Sequence, residues 1–136
     1  MNALDQIKRE ESYRRFPYTD TVGKWTWGYG WNLEAEGVDE DIAAMVCERK
    51  INKIIASLRQ AYSWFDALSV PRQGVLINMA YQMGLFGLSQ FSDTLTRIEN
   101  GDYGGASKGM LNSKWATQTP QRAIRLSEQM RKDEWV

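Results

Sequence analysis

Apolar and polar positions change their period twice along the chain. In the first dozen residues the apolar side chains Leu4 and Ile7 stand three apart, and the same stripe continued by four reaches Glu11. With Asn2 as its cap, this predicts a first helix to about Ser12. Glu11 then falls on the core-facing side, where carboxylates are usually paired or functional. Its neighbour Glu10 points roughly 100° away around the helix and reads as solvated. From residue 13 to 33 the period shortens to two. Trp25, Trp27, Tyr29 and Trp31 alternate with Thr26, Gly28 and Gly30, after a turn at Asp20-Thr21-Val22-Gly23. This predicts a β-hairpin with a short third strand. One face is aromatic, and the other is nearly bare backbone, open to close approach by a ligand.

A helical period then holds to the end. A helix from Asp39 to about Gln60 places Ile42, Met45, Val46, Ile54, Ile55 and Leu58 inward. Ser69 caps the next, with Pro71 in its first turn and Gly84 as its stop. Its stripe is Val75, Leu76, Met79, Ala80 and Met83. Further helices are expected at about Ser89–Glu99, Asp102–Leu111 and, behind the Thr119-Pro120 start signal, to about Arg131. There is no internal repeat and no linker. The reading is α+β, mostly α: one domain over 1–136, with a small hairpin lobe at about 13–38 and a helical lobe made of 1–12 and 39–136.

Composition narrows the chemistry. The 136 residues suffice for a core without metals or disulfides. Seventeen basic side chains balance seventeen acidic ones, so the basic excess of a nucleic-acid binder is missing. Nine basic against eleven acidic groups in residues 1–68, and eight against six in 69–136, leave only a slight tilt toward a basic second half. Histidine is absent, which removes Ser-His and Cys-His schemes and argues against zinc. The lone cysteine, Cys47, forms no intrachain disulfide and reads as a small apolar side chain. Met1–Ser12 is polar and charged, unlike a signal peptide, and no stretch is apolar enough to insert stably in a membrane. Acid–base work therefore falls to carboxylates.

Glu11 and Asp20 are the pair to consider. Glycoside hydrolysis commonly uses two carboxyl groups flanking one bond, one giving a proton and the other serving water or the developing cation. Thr26 could hold that water. Spacing alone is weak support, since two acids nine residues apart are common. The plainer readings are a Glu11–arginine pair, an Asx-turn at Asp20 and aromatic core packing in the hairpin.

The run YTDTVGKWTWGYGW at Tyr18–Trp31 changes that balance. Preceded by Glu11 and Arg14, it resembles the phage-type lysozymes, glycoside hydrolase family 24. The likeness resumes in LINMAYQMG at Leu76–Gly84, FSDTL at Phe91–Leu95 and KWATQTPQRAIR at Lys114–Arg125, in the family's order. It implies a two-lobed, lysozyme-like fold and hydrolysis of peptidoglycan between N-acetylmuramic acid and N-acetylglucosamine, with inversion and no cofactor or metal. It implies Glu11 as general acid, Asp20 as the carboxylate working with water, Thr26 as the water's holder and Arg122 as the acid's support. Gly30, Asn32, Tyr81, Gln82 and Thr94 fall at lining or supporting positions, Tyr81 and Thr94 as similar rather than identical residues. The family's GYGH run is GYGW here, with Trp31 in place of a supporting histidine. Asn32 stands where an apolar residue can occur, and residues 33–39 are a shortened stretch.

The expected partner is bacterial peptidoglycan, met by a monomer without nucleic acid. The chain would be made in a host bacterial cytoplasm and act on the periplasmic wall after release, a holin-type partner being one implied route. Two other readings are weighed: a wall-binding module of the same fold without turnover, and a lysozyme piece of a larger phage particle. The chain's start at Met1 and its end soon after the last helix argue against the latter.

Overall fold

The computed structural model describes residues 1–136. Its elements run α1 (Ala3–Glu11), β1 (Arg14–Thr19), β2 (Trp25–Gly28), β3 (Trp31–Asn32), α2 (Leu33–Glu36), α3 (Glu40–Ala61), a 3-10 turn at Phe65–Ala67, α4 (Val70–Ser89), α5 (Ser92–Glu99), α6 (Tyr103–Leu111), α7 (Lys114–Gln118) and α8 (Pro120–Lys132). The class is α+β and mostly α, as in lysozyme-like folds. No helix is long and apolar enough to cross a membrane. Contacts group the residues into two compact units, Met1–Val46 and Cys47–Val136.

In the first unit the three strands form an antiparallel sheet in the order β1-β2-β3. Arg14 pairs with Gly28 but Tyr18 pairs with Thr26, so β1 bulges between them. Pro17 lies in that bulge on an edge strand, where its missing N–H costs no ladder bond. The faces correct both expectations: the bare-backbone face, expected to lie open to a ligand, is the buried one, and the aromatic face, weighed as core packing, points outward. Thr26 and Gly28 are buried, while Trp25, Trp27, Tyr29 and Trp31 keep 40–50% of their surface exposed. Indole bonds fix two of those rings: Trp27 Nε1 donates to Arg15 O at 2.9 Å and Trp31 Nε1 to Gly37 O at 2.7 Å. Asn2 caps α1 through the Asp5 N–H, as its sequence predicts. The expected inward stripe of α1 is corrected, because Leu4, Ile7 and Glu11 are all exposed and the helix buries no residue. Two large apolar side chains in nine residues are too few to carry a helix into a core. Ile42, Met45 and Val46, expected inward, are exposed as well, and α3 buries only Ile54 and Leu58 in its second half.

The second unit holds the core. Leu58, Phe65, Val75, Leu76, Met79, Leu88, Ile98, Met110 and Met130 are almost or wholly inaccessible. Gly84 does stop the first part of α4, with φ 77° and ψ 167°, and a short turn of helix resumes to Ser89. The next helix accordingly begins at Ser92 rather than at Ser89. α5 and α6 meet closely where Thr94 Oγ1 stands 2.6 Å from the place a Cβ of Gly109 would occupy. Asp102 caps α6 through the Gly105 N–H at 2.9 Å and binds Arg97 Nη1 at 2.7 Å.

Arg72 joins α4 to the end of α8. Its Nε donates to Met130 O at 2.8 Å, its Nη2 to Arg131 O at 3.3 Å, and its Nη1 lies 3.4 Å from Asp133. The guanidinium also stacks 3.5 Å from the centre of the Tyr103 ring. Cations at the last carbonyls of a helix satisfy orphan acceptors and oppose the dipole.

Two glycines should respond oppositely to alanine. Gly84→Ala forces a side chain into a backbone region used almost only by glycine, and should cost about 1–3 kcal/mol in urea unfolding. Gly104→Ala meets nothing within 4 Å inside α6. It should stabilise by about 0.5–1 kcal/mol. The Asp102 carboxyl is held below the usual aspartate range, first by the Gly105 N–H and then by Arg97. A lowered folded value adds stability above the unfolded value, and that increment disappears as pH falls through the folded one. Asp102→Asn keeps the cap but removes the charge. Its melting temperature should lie below wild type at neutral pH, and the gap should close in a titration toward pH 2.

Candidate active site

Glu11 is the last residue of α1, and its exposed carboxyl lies against Gly30 in the hairpin. A Cβ built on Gly30 would stand 2.5 Å from Glu11 Oε2 and 2.9 Å from its Cδ. Gly30 also has φ 71°, a conformation that favours glycine, and a side chain there would push the exposed Glu11 carboxyl aside. The chain leaves α1 through Ser12 at φ 61°, whose N–H returns to Lys8 O. Around this corner the Tyr13 and Tyr29 rings sit 5.6 Å apart, with Lys8 Nζ 5.6 Å from the Tyr29 ring centre.

Asp20 sits in the turn between β1 and β2 and is half-buried. Its Oδ1 accepts from Val22 N at 3.0 Å and Lys24 N at 2.8 Å. Its backbone N–H donates to Lys24 O at 2.9 Å. The Asx-turn weighed from sequence is therefore present. It occupies one carboxylate oxygen, and Oδ2 makes no hydrogen bond. Thr26, 5% exposed, donates its hydroxyl to the same Lys24 carbonyl at 3.0 Å. Asp20 and Thr26 are thus tied through one residue's backbone.

Asn32 is taken up locally. Its Oδ1 accepts from Ala35 N at 3.1 Å and caps α2, and its N–H donates to Glu36 at 3.2 Å. Glu34, which the sequence reading passed over, accepts from Trp25 N at 3.1 Å and faces Lys24 Nζ at 3.7 Å. A carboxylate one turn beyond the strands, opposite a lysine in the hairpin turn, was the available signal.

The remaining candidates lie in the second unit. Arg122 donates from Nε to Asn78 Oδ1 at 2.8 Å and from Nη2 to Asn78 O at 3.4 Å. Asn78, inside the LINMAYQMG run but not singled out from sequence, is the group that orients this guanidinium. Arg122, Asn78 and Tyr81 line one cavity of about 390 Å³ together with Cys47 and Trp135. The hydrogen-bonded neighbour Cys47, followed by loss of hydration, pushes the Tyr81 hydroxyl above the usual tyrosine range. Lys50 Nζ lies 4.1 Å from the centre of its ring. Gln82 accepts from Trp115 Nε1 at 2.8 Å. Thr94 is buried beside Gly109. No group of three or more Cys, Asp or Glu side chains is placed to hold a metal ion.

The chain matches the phage lysozyme family over residues 8–133. It is similar to Probable T4-type lysozyme 2 of Dictyostelium discoideum, at 27% identity over 90% of this chain and 89% of that protein. Probable T4-type lysozyme 1 of the same organism is 28% identical over the same shares. The pre-baseplate central spike protein of Enterobacteria phage T4 is 28% identical over 93% of this chain, which spans only 27% of the spike protein. A family match running from the second half of α1 to the residue just after α8 places this chain in the phage lysozyme family.

Proposed function

We propose that this chain is a peptidoglycan hydrolase, a muramidase cutting the β-1,4 bond between N-acetylmuramic acid and N-acetylglucosamine. Membership of the phage lysozyme family supports hydrolysis of the wall polymer. The observation that carries the finer reading is the set Glu11, Asp20 and Thr26, standing in the family's order within one unit. In the proposed mechanism Glu11 protonates the leaving glycosidic oxygen. A water held by Thr26 and Asp20 attacks the anomeric carbon from the opposite face, and Asp20 takes its proton. The C1–O bond breaks as the C1–water bond forms, so the β-linkage yields an α-hemiacetal.

The division of labour at Asp20 favours this role, since the turn uses Oδ1 and leaves Oδ2 available to a water. The missing side chain of Gly30 leaves room for the Glu11 carboxyl, which is compatible with the acid's role. Arg122, Tyr81, Gln82 and Thr94 keep the supporting or lining roles that the family resemblance gives them, with Asn78 orienting Arg122. All 136 residues then serve as one lysozyme-type domain acting as a monomer on the bacterial wall, after release from the cytoplasm in which it is made, and leading to lysis. The likeness to the spike protein favours a second setting, the same hydrolase carried in a phage particle. Detection of the chain in purified particles by mass spectrometry would establish it.

Purified Gram-negative peptidoglycan incubated with the protein should release muropeptides with reducing muramic ends, resolved by chromatography and mass. Glu11→Gln keeps shape but removes the proton, and should lose on the order of 10²-fold or more in rate. Co-sedimentation of both proteins with the wall, without release of reducing ends, would leave only a binding module. Proton NMR of a short chitin-type or muropeptide substrate should show the α-anomer first.

Gly30→Ala provides a second test. The new methyl must displace the Glu11 carboxyl and also adopt a positive φ. The expected result is about 1–3 kcal/mol lost in stability, with wall hydrolysis reduced on the order of 10- to 100-fold at temperatures where the variant stays folded.

A further inference from the structure

The exposed aromatic face of the hairpin has a pocket that the hydrolytic residues do not use. Trp27, Trp31, Val38, Asp39 and Ile42 enclose about 260 Å³, all within the first unit. Its chemistry is one-sided. The indole N–H groups of Trp27 and Trp31 are already given to Arg15 O and Gly37 O. The rings therefore present π surface and edges, with no donor left for a guest. Val38 and Ile42 add aliphatic wall. The one charged side chain in the lining is Asp39, and its carboxylate makes no hydrogen bond or ion pair. No lysine or arginine lines the pocket.

A sugar, which asks for both donors and acceptors, is poorly served by such a lining. A guest that suits it has an aliphatic stem, donates hydrogen bonds and carries positive charge. Indole faces attract ammonium groups, apolar walls take up methylenes, and an unpaired carboxylate completes the match. Size agrees: an apolar cavity of about 150 Å³ accepts one benzene ring, so 260 Å³ has room for an aminoalkyl side chain.

We propose that this pocket binds the amine-bearing side chain of the diamino residue in a peptidoglycan stem peptide. Identification of the wall as the source of that amine rests on the hydrolase reading, whereas the pocket's preference for an alkylammonium does not. The site adds a peptide contact to a protein whose chemistry is directed at the glycan, and favours walls whose stem amines are free over walls where they are blocked.

The test uses the full chain labelled with ¹⁵N at its indole nitrogens, titrated with Nα-acetyl-lysine amide and separately with the same probe acetylated at Nε. The indole signals of Trp27 and Trp31 should shift saturably with the first probe. Affinity should fall at least fivefold for the second probe, and equally for the first probe on Asp39→Asn, since asparagine keeps the helix-start preference of aspartate. Equal response to both probes, or none at Trp27 and Trp31, overturns the proposal. For the source, Glu11→Gln should co-sediment at least fivefold better with native wall than with wall whose stem amines are chemically acetylated. Equal binding overturns the assignment to the stem peptide. Release of reducing ends by the unmodified protein reads the hydrolase proposal separately, so a chain that cuts wall yet ignores the lysine probe loses only the pocket.

Discussion

The guanidinium of Arg72 is the constraint on which the helical unit closes. It takes two carbonyls at the end of α8, faces Asp133 and stacks on Tyr103 at the start of α6. One side chain thereby fixes where three helices meet in a chain that has no disulfide to do so. Around it Trp135 packs on Gly74, and Gln129 donates to Pro71 O at 2.7 Å. The apolar core supplies the bulk of the stabilisation by removing methylenes and rings from water. The polar ties decide the register in which that core forms, because their buried groups are costly to leave unmatched.

The first unit solves a different problem with fewer residues. It buries little, and its order comes from hydrogen bonds that return quickly to nearby backbone. Asp20 holds the hairpin turn, Glu34 holds Trp25, Asn32 holds the one-turn α2, and two indoles are pinned to main-chain carbonyls. Such bonds set geometry at modest net gain each. They make a small scaffold able to hold Glu11, Asp20 and the buried Thr26 in one unit without a large core.

Much of this was legible in the sequence where a local signal existed. Asn2, Ser69 and Asp102 announce helix starts by side-chain chemistry, Gly84 announces a break, and the alternation at Trp25–Trp31 announces strands. The four-residue α2 and five-residue α7 were missed because neither spans enough turns to show a period. Periodicity also misled at Ile42, Met45 and Val46, and at Leu4 and Ile7. A stripe records which residues share a side of a helix, while burial depends on what that side meets. The partners of Arg72 and Arg122 were illegible for another reason. Arg122 is held by an asparagine 44 residues away, which no pairing of opposite charges marks, and Arg72 mainly by backbone carbonyls of α8, with Asp133 one acidic residue among many that could have faced it. Of the candidate residues, the resemblance to phage lysozymes selected positions that spacing alone left among many equivalents. The approach of Glu11 to Gly30 joins two elements across a chain reversal, and no local signal marks it.

The shared oxygen budget of Asp20 has an evolutionary side. One oxygen of the carboxylate knots the turn, and the other is the one proposed for chemistry. Replacement by a residue without an acceptor loosens the hairpin together with any activity, so selection for folding alone disfavours it. Asparagine keeps the knot and gives up the charge. A lineage that abandoned hydrolysis while keeping the domain for adhesion would therefore drift along a narrow route through asparagine, and the amide at this position would be the fossil of the lost enzyme.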